Sequence, residues 1–353
     1  MRIGFLLPSV FSIDNPGNGI AEQARMQAAA LERLGHTVER LNPWQWQDER
    51  DFDVLHFYLG GPALYHITRN RQLNQPGLLV FSPIIDSNQS FMSYRIAARL
   101  GTLSSRLLTI PAILQEQARG SDVVICRSRH ERERLTRGLG IHADKVEIVL
   151  NGGPPPSGHL GDPQHVRQAL GLPADFVLHI SAFTQSRKNV LRLAEAAEPL
   201  GYPLVLAGRS TSGAILQQLE RKARYRDRLR ILGFVDGQTK AALYALCRVF
   251  CLPSIHEGTG LVALEAGAHG TNLVITKKGG PPDYFLDHAD YVDPFDTQDI
   301  KRAIARAWER PKNTLLQQPI AEHMTWDHSA QALQGAYQKH LARLRNCGRR
   351  LNA

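Results

Sequence analysis

Cysteine is scarce in this sequence. The four residues, Cys126, Cys247, Cys251 and Cys347, form no CxxC pair. That spacing argues against a zinc site and against a disulfide framework. Cys126 and Cys251 lie in apolar strand-like segments, VVICRS and RVFCLPS, and read as buried, reduced thiols of a cytosolic protein. No run of about 18 apolar residues occurs, so no transmembrane helix is expected. The first residues, MRIGFLLPSVFSIDNPGNG, lack a cleavage-site pattern and read as a first β-strand, not a leader. No internal repeat is evident.

Acid is missing from two stretches. Tyr337 to Ala353 carries Lys339, Arg343, Arg345, Arg349 and Arg350 with no Asp or Glu, which is +5 of the formal net charge of +9. Gln89 to Ile110 holds no acid either. Such an excess suits anionic lipid, nucleic acid or a phosphorylated substrate. No nucleic-acid module signature accompanies it, so nucleic acid is not expected as a partner.

What is present is an alternation. Hydrophobic residues make up 43% of the 353, enough for real cores, and the length suits two domains. IGFLL, TVERL, DVLHF, LLVFS, DVVIC and VEIVL, all before residue 151, alternate with helical patterns such as Ile20–Leu34. NGGPPPSGHLGDP (151–163) is a Pro/Gly-rich break that reads as a linker. The rhythm restarts with FVLHIS, PLVLAG, LRILGF, VFCLP and NLVIT. It predicts an α/β chain with two doubly wound, Rossmann-like parallel sheets, covered by helices and facing a cleft. In such sheets ligands bind beyond the carboxyl ends of the strands.

One stretch after a strand stands out: PSIHEGTGLVALEAGAHG, from Pro253 to Gly270. Glu257 precedes a helix, and Glu265 lies about a turn and a half inside it. Gly258 and Gly260 let a ligand approach the backbone, and Thr259 is placed to cap the helix. Free N–H groups at a helix start suit a phosphate. A carboxylate at Glu265 can accept from two adjacent hydroxyls, as on a ribose. The plainer reading is an acid favouring the helix dipole plus a surface glutamate, but the small residues around ALEAGA fit a surface poorly. In ISAFTQSRKNV (180–190), Arg187 and Lys188 sit at a helix start, where the dipole disfavours cations. That misplacement points to neutralising a departing diphosphate.

SIHEGTGLVALEAGAHGTNLVIT resembles the donor-site motif of retaining glycosyltransferases of family 4, which have the GT-B fold. DVVICRSRHERERL, VEIVLNGG, LGFVDGQTKAALYALCRVFCLPS, GGPPDYF, YVDPFDTQDIKRAI and TWDHSAQAL resemble its other segments, over most of the chain. The resemblance implies that Glu257 contacts the transferred sugar and Glu265 the nucleotide ribose. The backbone around Gly258, Thr259, Gly260 and Leu261 would hold the diphosphate, with Lys188 as its cation. The family commonly has an Arg where Phe183 stands, and Arg187 is expected to take its place. Gly19, in the loop after the first strand, is expected on the donor side, although Asn18 splits the usual glycine pair. Asp86 matches the Asp of a common His-Asp pair, with Ile85 in place of the His. Base selection is expected near Gly233 to Val235. His56 and His256 are cleft candidates whose commoner role is structural.

Within Gln89–Ile110, Met92, Ile96, Leu100, Leu103 and Leu107 cluster on one side of a helical wheel beside Arg95, Arg99 and Arg106. Such a helix can dip into an anionic membrane surface. The commoner fate of such a face is to pack on a core.

Taken together, the expectation is a retaining, metal-independent hexosyl- or deoxyhexosyltransferase. Its co-substrate is a nucleotide-diphosphate sugar, and its acceptor a saccharide or lipid-linked saccharide of polysaccharide or glycan assembly. No other cofactor is expected. The expected domains are 1–153 (acceptor side), 154–326 (donor) and 327–353 (a helix crossing back to the first domain, and a basic tail). The location is cytoplasmic, peripheral to the inner face of a membrane. The alternative is a nucleotide-sugar-binding protein that lost transfer, motivated by Ile85 and Phe183. A nicotinamide-dependent dehydrogenase ranks last, because PGNGIAEQA lacks the fingerprint spacing.

Overall fold

The computed structural model describes residues 1–8, 19–42, 52–74, 77–103, 109–153, 162–182, 185–209, 213–220, 227–312 and 314–346. The chain divides into two units, Met1–Gly152 together with Trp326–Ala353, and Gly153–Thr325.

The first unit contains β1 (Arg2–Leu6), α1 (Gly19–Arg33), β2 (Thr37–Leu41), β3 (Val54–Tyr58), α2 (Pro62–Asn74) and β4 (Leu78–Ser82). It continues with α3 (Phe91–Leu103), α4 (Ile110–Gly120), β5 (Val123–Cys126), α5 (Arg129–Glu133) and β6 (Val146–Ile148). The strands lie in the order β2-β1-β3-β4-β5-β6, every pair parallel. Every residue of β3, β4 and β5 is buried, the mark of strands covered on both faces. This is why they read as continuous apolar runs and not as alternations.

The second unit contains α6 (Pro163–Ala169), β7 (Val177–Ile180), α7 (Val190–Ala197), β8 (Leu204–Ala207), α8 (Gly213–Glu220), β9 (Leu229–Gly233) and α9 (Gly237–Leu246). Then come β10 (Val249–Leu252), α10 (Leu261–Ala268), β11 (Asn272–Thr276), α11 (Pro281–Phe285), β12 (Asp290–Val292), α12 (Thr297–Glu309) and α13 (Gln317–His323). The order is β12-β11-β10-β7-β8-β9, again all parallel. The two doubly wound sheets match the expectation. The edge strand β12 is missing from the sequence reading, because three residues before a proline carry too little pattern.

The last helix, α14 (Trp326–Asn346), belongs to the first unit. It packs on α1, where Gln27 Nε2 donates to Ser329 Oγ at 3.1 Å and Arg33 pairs with Asp327 at 2.5 Å. The Tyr337 hydroxyl meets His56 Nδ1 at 2.7 Å, and His56 Nε2 meets Ser82 Oγ at 2.7 Å. Burial lowers the His56 pKa to about 3. His56 is thus a neutral core residue that ties β3 to β4 and α14. The basic tail is also partly committed. Lys339 Nζ lies 2.6 Å from Glu147, and Arg343 donates to the Asp144 carbonyl; residues 347–353 lie outside the described residues. Cys126, Cys247 and Cys251 are buried thiols. Burial raises all three, Cys247 to about 12.

Candidate functional site

In the second unit the chain leaves β7 for β8 and β9 on one side, then returns to β10 on the other. At such a switch point the loops after the two adjacent strands diverge and leave a crevice at their carboxyl ends. The loop after β7 carries Arg187 and Lys188. The loop after β10 carries Glu257.

Both loops are fixed by the backbone. Ser186–Lys188 form one 3₁₀ turn, followed by Asn189 in the left-handed region with φ 60°. Asn tolerates that region because its short amide can bond nearby carbonyls. Here Asn189 Nδ2 donates to the Pro253 and Pro294 carbonyls at 2.9 and 2.7 Å. The Ile255 N–H donates to the Arg187 carbonyl at 2.8 Å, which ties the two loops together. The Glu257 N–H donates to the Lys278 carbonyl, and the Gly280 N–H to the Glu257 carbonyl, so Glu257 and Gly279 pair as neighbouring backbone. Gly279 has φ 108°, and a Cβ there would sit 2.0 Å from the Glu257 carbonyl oxygen, so only glycine permits this contact.

Lys188 Nζ lies 2.5 Å from Glu257 Oε1, with the side chains 11% and 7% exposed. Burial pushes the Glu257 carboxyl up, but Lys188 and Arg187 outweigh it, and its pKa falls below the ordinary value. Glu257 is therefore an ionised, acceptor-only group at neutral pH. Arg187 Nε donates to Gln185 Oε1 at 3.0 Å, while its buried Nη1 has no hydrogen-bond partner among the described residues.

The start of α10 differs from expectation in one respect. Gly260, with φ 79°, is the N-cap, and no side chain caps the helix. Thr259 is buried with its hydroxyl 3.3 Å from the Tyr284 hydroxyl, so it does not serve as the cap. Gly258 is buried beside it, and Leu261 opens the helix. Glu265 faces α9. Lys240 Nζ lies 3.0 Å from its Oε1 and 2.8 Å from its Oε2, and the Tyr244 hydroxyl donates to Oε2 at 2.8 Å. Burial and then Glu265 raise the Tyr244 pKa well above its usual value, so that hydroxyl keeps its proton.

His179, near the end of β7, was not singled out from sequence. Its Nδ1 lies 2.8 Å from the Cys251 carbonyl, and its Nε2 lies 2.7 Å from Ser181 Oγ. A carbonyl only accepts, so Nδ1 carries the proton and Ser181 donates to Nε2. Burial lowers the His179 pKa to about 4, with Lys188 also lowering it. Lys240 and Tyr244 were likewise missed, although their i, i+4 spacing places both on one helix face. Phe234, just after β9, is 58% exposed beneath the Arg209 guanidinium at 5.6 Å. It lies in the Gly233–Val235 stretch expected to face a base.

The second unit thus gathers Arg187, Lys188, Glu257, Gly258, Thr259, Gly260, Leu261 and Glu265 along the loops after β7 and β10 and the α10 that follows. Asp86 and Gly19 belong to the first unit. Arg127 Nη2 donates to Asp86 Oδ1 at 2.9 Å, and Arg127 is itself held by Glu131. Glu131 also accepts the Ile85 N–H at 2.7 Å. The Ile85 side chain is buried in the core cluster, so that position packs the sheet. Gly19 is exposed and opens α1. Phe183 lies outside the described residues. Among the described residues no group of three His, Cys, Asp or Glu is arranged to hold a metal ion.

The two parallel six-stranded sheets with flanking helices match the GT-B fold. Sucrose-phosphate synthase from Thermosynechococcus elongatus superposes with a TM-score of 0.77 at 17% identity, covering 97% of this chain and 100% of that one. HepE from Anabaena, in complex with UDP-glucose, gives 0.73 at 18% identity, covering 96% and 100%. At these identities the likeness is one of fold. Within the second unit, residues 164–322 match the family model described as "Glycosyl transferases group 1". The D-inositol 3-phosphate glycosyltransferase of Xylanimonas cellulosilytica is 29% identical over 236 residues, 62% of this chain. The chain spans 57% of that relative's length.

Proposed function

We propose that this chain is a retaining glycosyltransferase of family 4 that moves a hexosyl or deoxyhexosyl group from a nucleotide-diphosphate sugar. The acceptor is a saccharide or lipid-linked saccharide of cell-surface polysaccharide or glycan assembly. The observation that carries the reading is the buried Lys188–Glu257 pair at the switch point, flanked by Arg187 and the uncapped start of α10. Glu257, ionised, accepts from the sugar hydroxyls. Lys188, Arg187 and the α10 amides near Gly258, Thr259, Gly260 and Leu261 take up the charge that develops on the leaving diphosphate. Glu265 keeps lone pairs for the ribose hydroxyls beyond those used by Lys240 and Tyr244. This division of labour assigns no step to a metal ion.

The test starts with a thermal-shift screen of UDP-, GDP-, ADP- and dTDP-sugars, because a ligand that binds only the folded state raises Tm. The UDP sugars come first, since UDP-glucose is bound in the HepE neighbour. Donor hydrolysis and transfer are then measured on Lys188→Ala and Glu257→Ala, with the product anomer read by NMR. Activity equal to the parent in both variants overturns the site assignment. A donor that binds without turnover selects the binding-protein reading.

A further inference from the structure

Helix α3 is oriented against the usual rule. It buries Tyr94 and Ala98, and leaves Met92, Ile96 and Leu100 at 59%, 52% and 47% exposure. These three sit at i, i+4 and i+8, so they form one row along the helix. Ile110, the first residue of the neighbouring α4, adds a further side chain at 49% exposure. Among the described side chains of α3, Tyr94 and Ala98 enter the core, while the long aliphatic residues Met92, Ile96 and Leu100 face outward.

The charge on α3 itself has one sign. Arg95 and Arg99 are exposed on the adjacent stripe, at wheel angles next to Met92 and Ile96. Arg95 reaches the Arg137 carbonyl at 2.6 Å, and Arg137 lies over the Phe91 ring at the start of α3. The nearby Glu133 carboxylate pairs with Arg137 at 3.5 Å. The 22 residues from Gln89 to Ile110 contain no carboxylate.

We infer that the outer face of α3 lies in the interface of an anionic bilayer. Met92, Ile96 and Leu100 enter the acyl boundary, and Arg95 and Arg99 meet the headgroup phosphates. An apolar row flanked by arginines matches both layers of such an interface. This inference stands apart from the sugar-transfer reading and reports on location.

The full chain is tested by co-sedimentation with vesicles of phosphatidylcholine alone and of phosphatidylcholine with phosphatidylglycerol, at low and high salt. The expected result is partition to the anionic vesicles at low salt and little to the neutral ones. Met92→Ser/Ile96→Ser/Leu100→Ser should lower that partition about tenfold or more, with an unchanged melting temperature as the control for folding. Arg95→Gln/Arg99→Gln should weaken it and flatten its salt dependence. No binding to anionic vesicles overturns the inference. So does binding that survives the triple serine variant, because another surface, such as the basic tail, then carries it. A self-association that the triple variant abolishes, without vesicle binding, assigns the face to a second copy and also overturns it.

Discussion

Two Lys–Glu pairs anchor the segment from β10 through α10, and they differ in depth. Lys188–Glu257 is almost wholly buried, with side chains 11% and 7% exposed. Lys240–Glu265 is 33% and 18% exposed. Breaking a buried pair strands a charge in a medium that solvates it poorly, at about 3–5 kcal/mol, whereas an exposed pair contributes about 0.2–1 kcal/mol. The deep pair is therefore part of the fold, and a ligand replaces its contacts only with groups of matching charge. The shallow pair is adjustable, and Lys240 can yield Glu265 to a ligand hydroxyl at small cost. Fixed geometry thus falls where bond cleavage is proposed, and adaptable geometry where the ribose is proposed to dock.

The sharpest way to break this contrast is to remove one member of the deep pair. Lys188→Ala or Glu257→Ala should lower stability by about 3–5 kcal/mol in urea titrations and turnover by about 10²–10³-fold. The double variant Lys188→Ala/Glu257→Ala should be less destabilised than the two singles added together. Strict additivity would show that the pair is not coupled.

Acid offers a graded version of the same test. The unfolded chain protonates histidine below about pH 6.5, while His179 and His56 stay neutral down to about 4 and 3. The unfolded state then binds more protons. Stability should fall by up to about 1.4 kcal/mol per pH unit for each histidine as pH drops through that window. Glu257 acts lower. Its stabilisation is complete above the ordinary carboxylate range and is lost as pH falls below it through the depressed native value. Unfolding free energy against pH should show the histidine slope in Glu257→Gln, with the Glu257 step gone.

The shallow pair gives smaller effects. Lys240→Ala should change stability by under about 1 kcal/mol and act through donor KM, leaving kcat near the parent. Tyr244→Phe removes one donor to Glu265 and should cost about 1 kcal/mol. A kcat loss in either as large as in Lys188→Ala would erase the proposed division between the pairs.

Much of this was legible in the chain because the relevant signals are local. LLVFS and NLVIT coincide with β4 and β11, and Glu257 through Glu265 announce the loop and helix that carry them. The pairing of Lys188 with Glu257 was not legible, because it comes from two loops brought together only by the strand order. The same holds for His179, whose Cys251 partner is on the adjacent strand. Thr259 misled because a threonine before a helix resembles a cap, while the left-handed Gly260 takes that position. The outward turn of α3 was hidden too, since a wheel shows that an apolar row exists but not which way it faces.

The first unit is interrupted in sequence, and this orders events during synthesis. Gly153–Thr325 emerges as one unbroken block, and α14 follows it. Until then Gln27 lacks Ser329, and the buried His56 lacks the Tyr337 hydroxyl. A domain that folds as a unit on the ribosome can therefore be completed first by the middle of this chain, not by its beginning. The sheet of the first unit therefore waits for α14, which is made only after the whole of Gly153–Thr325.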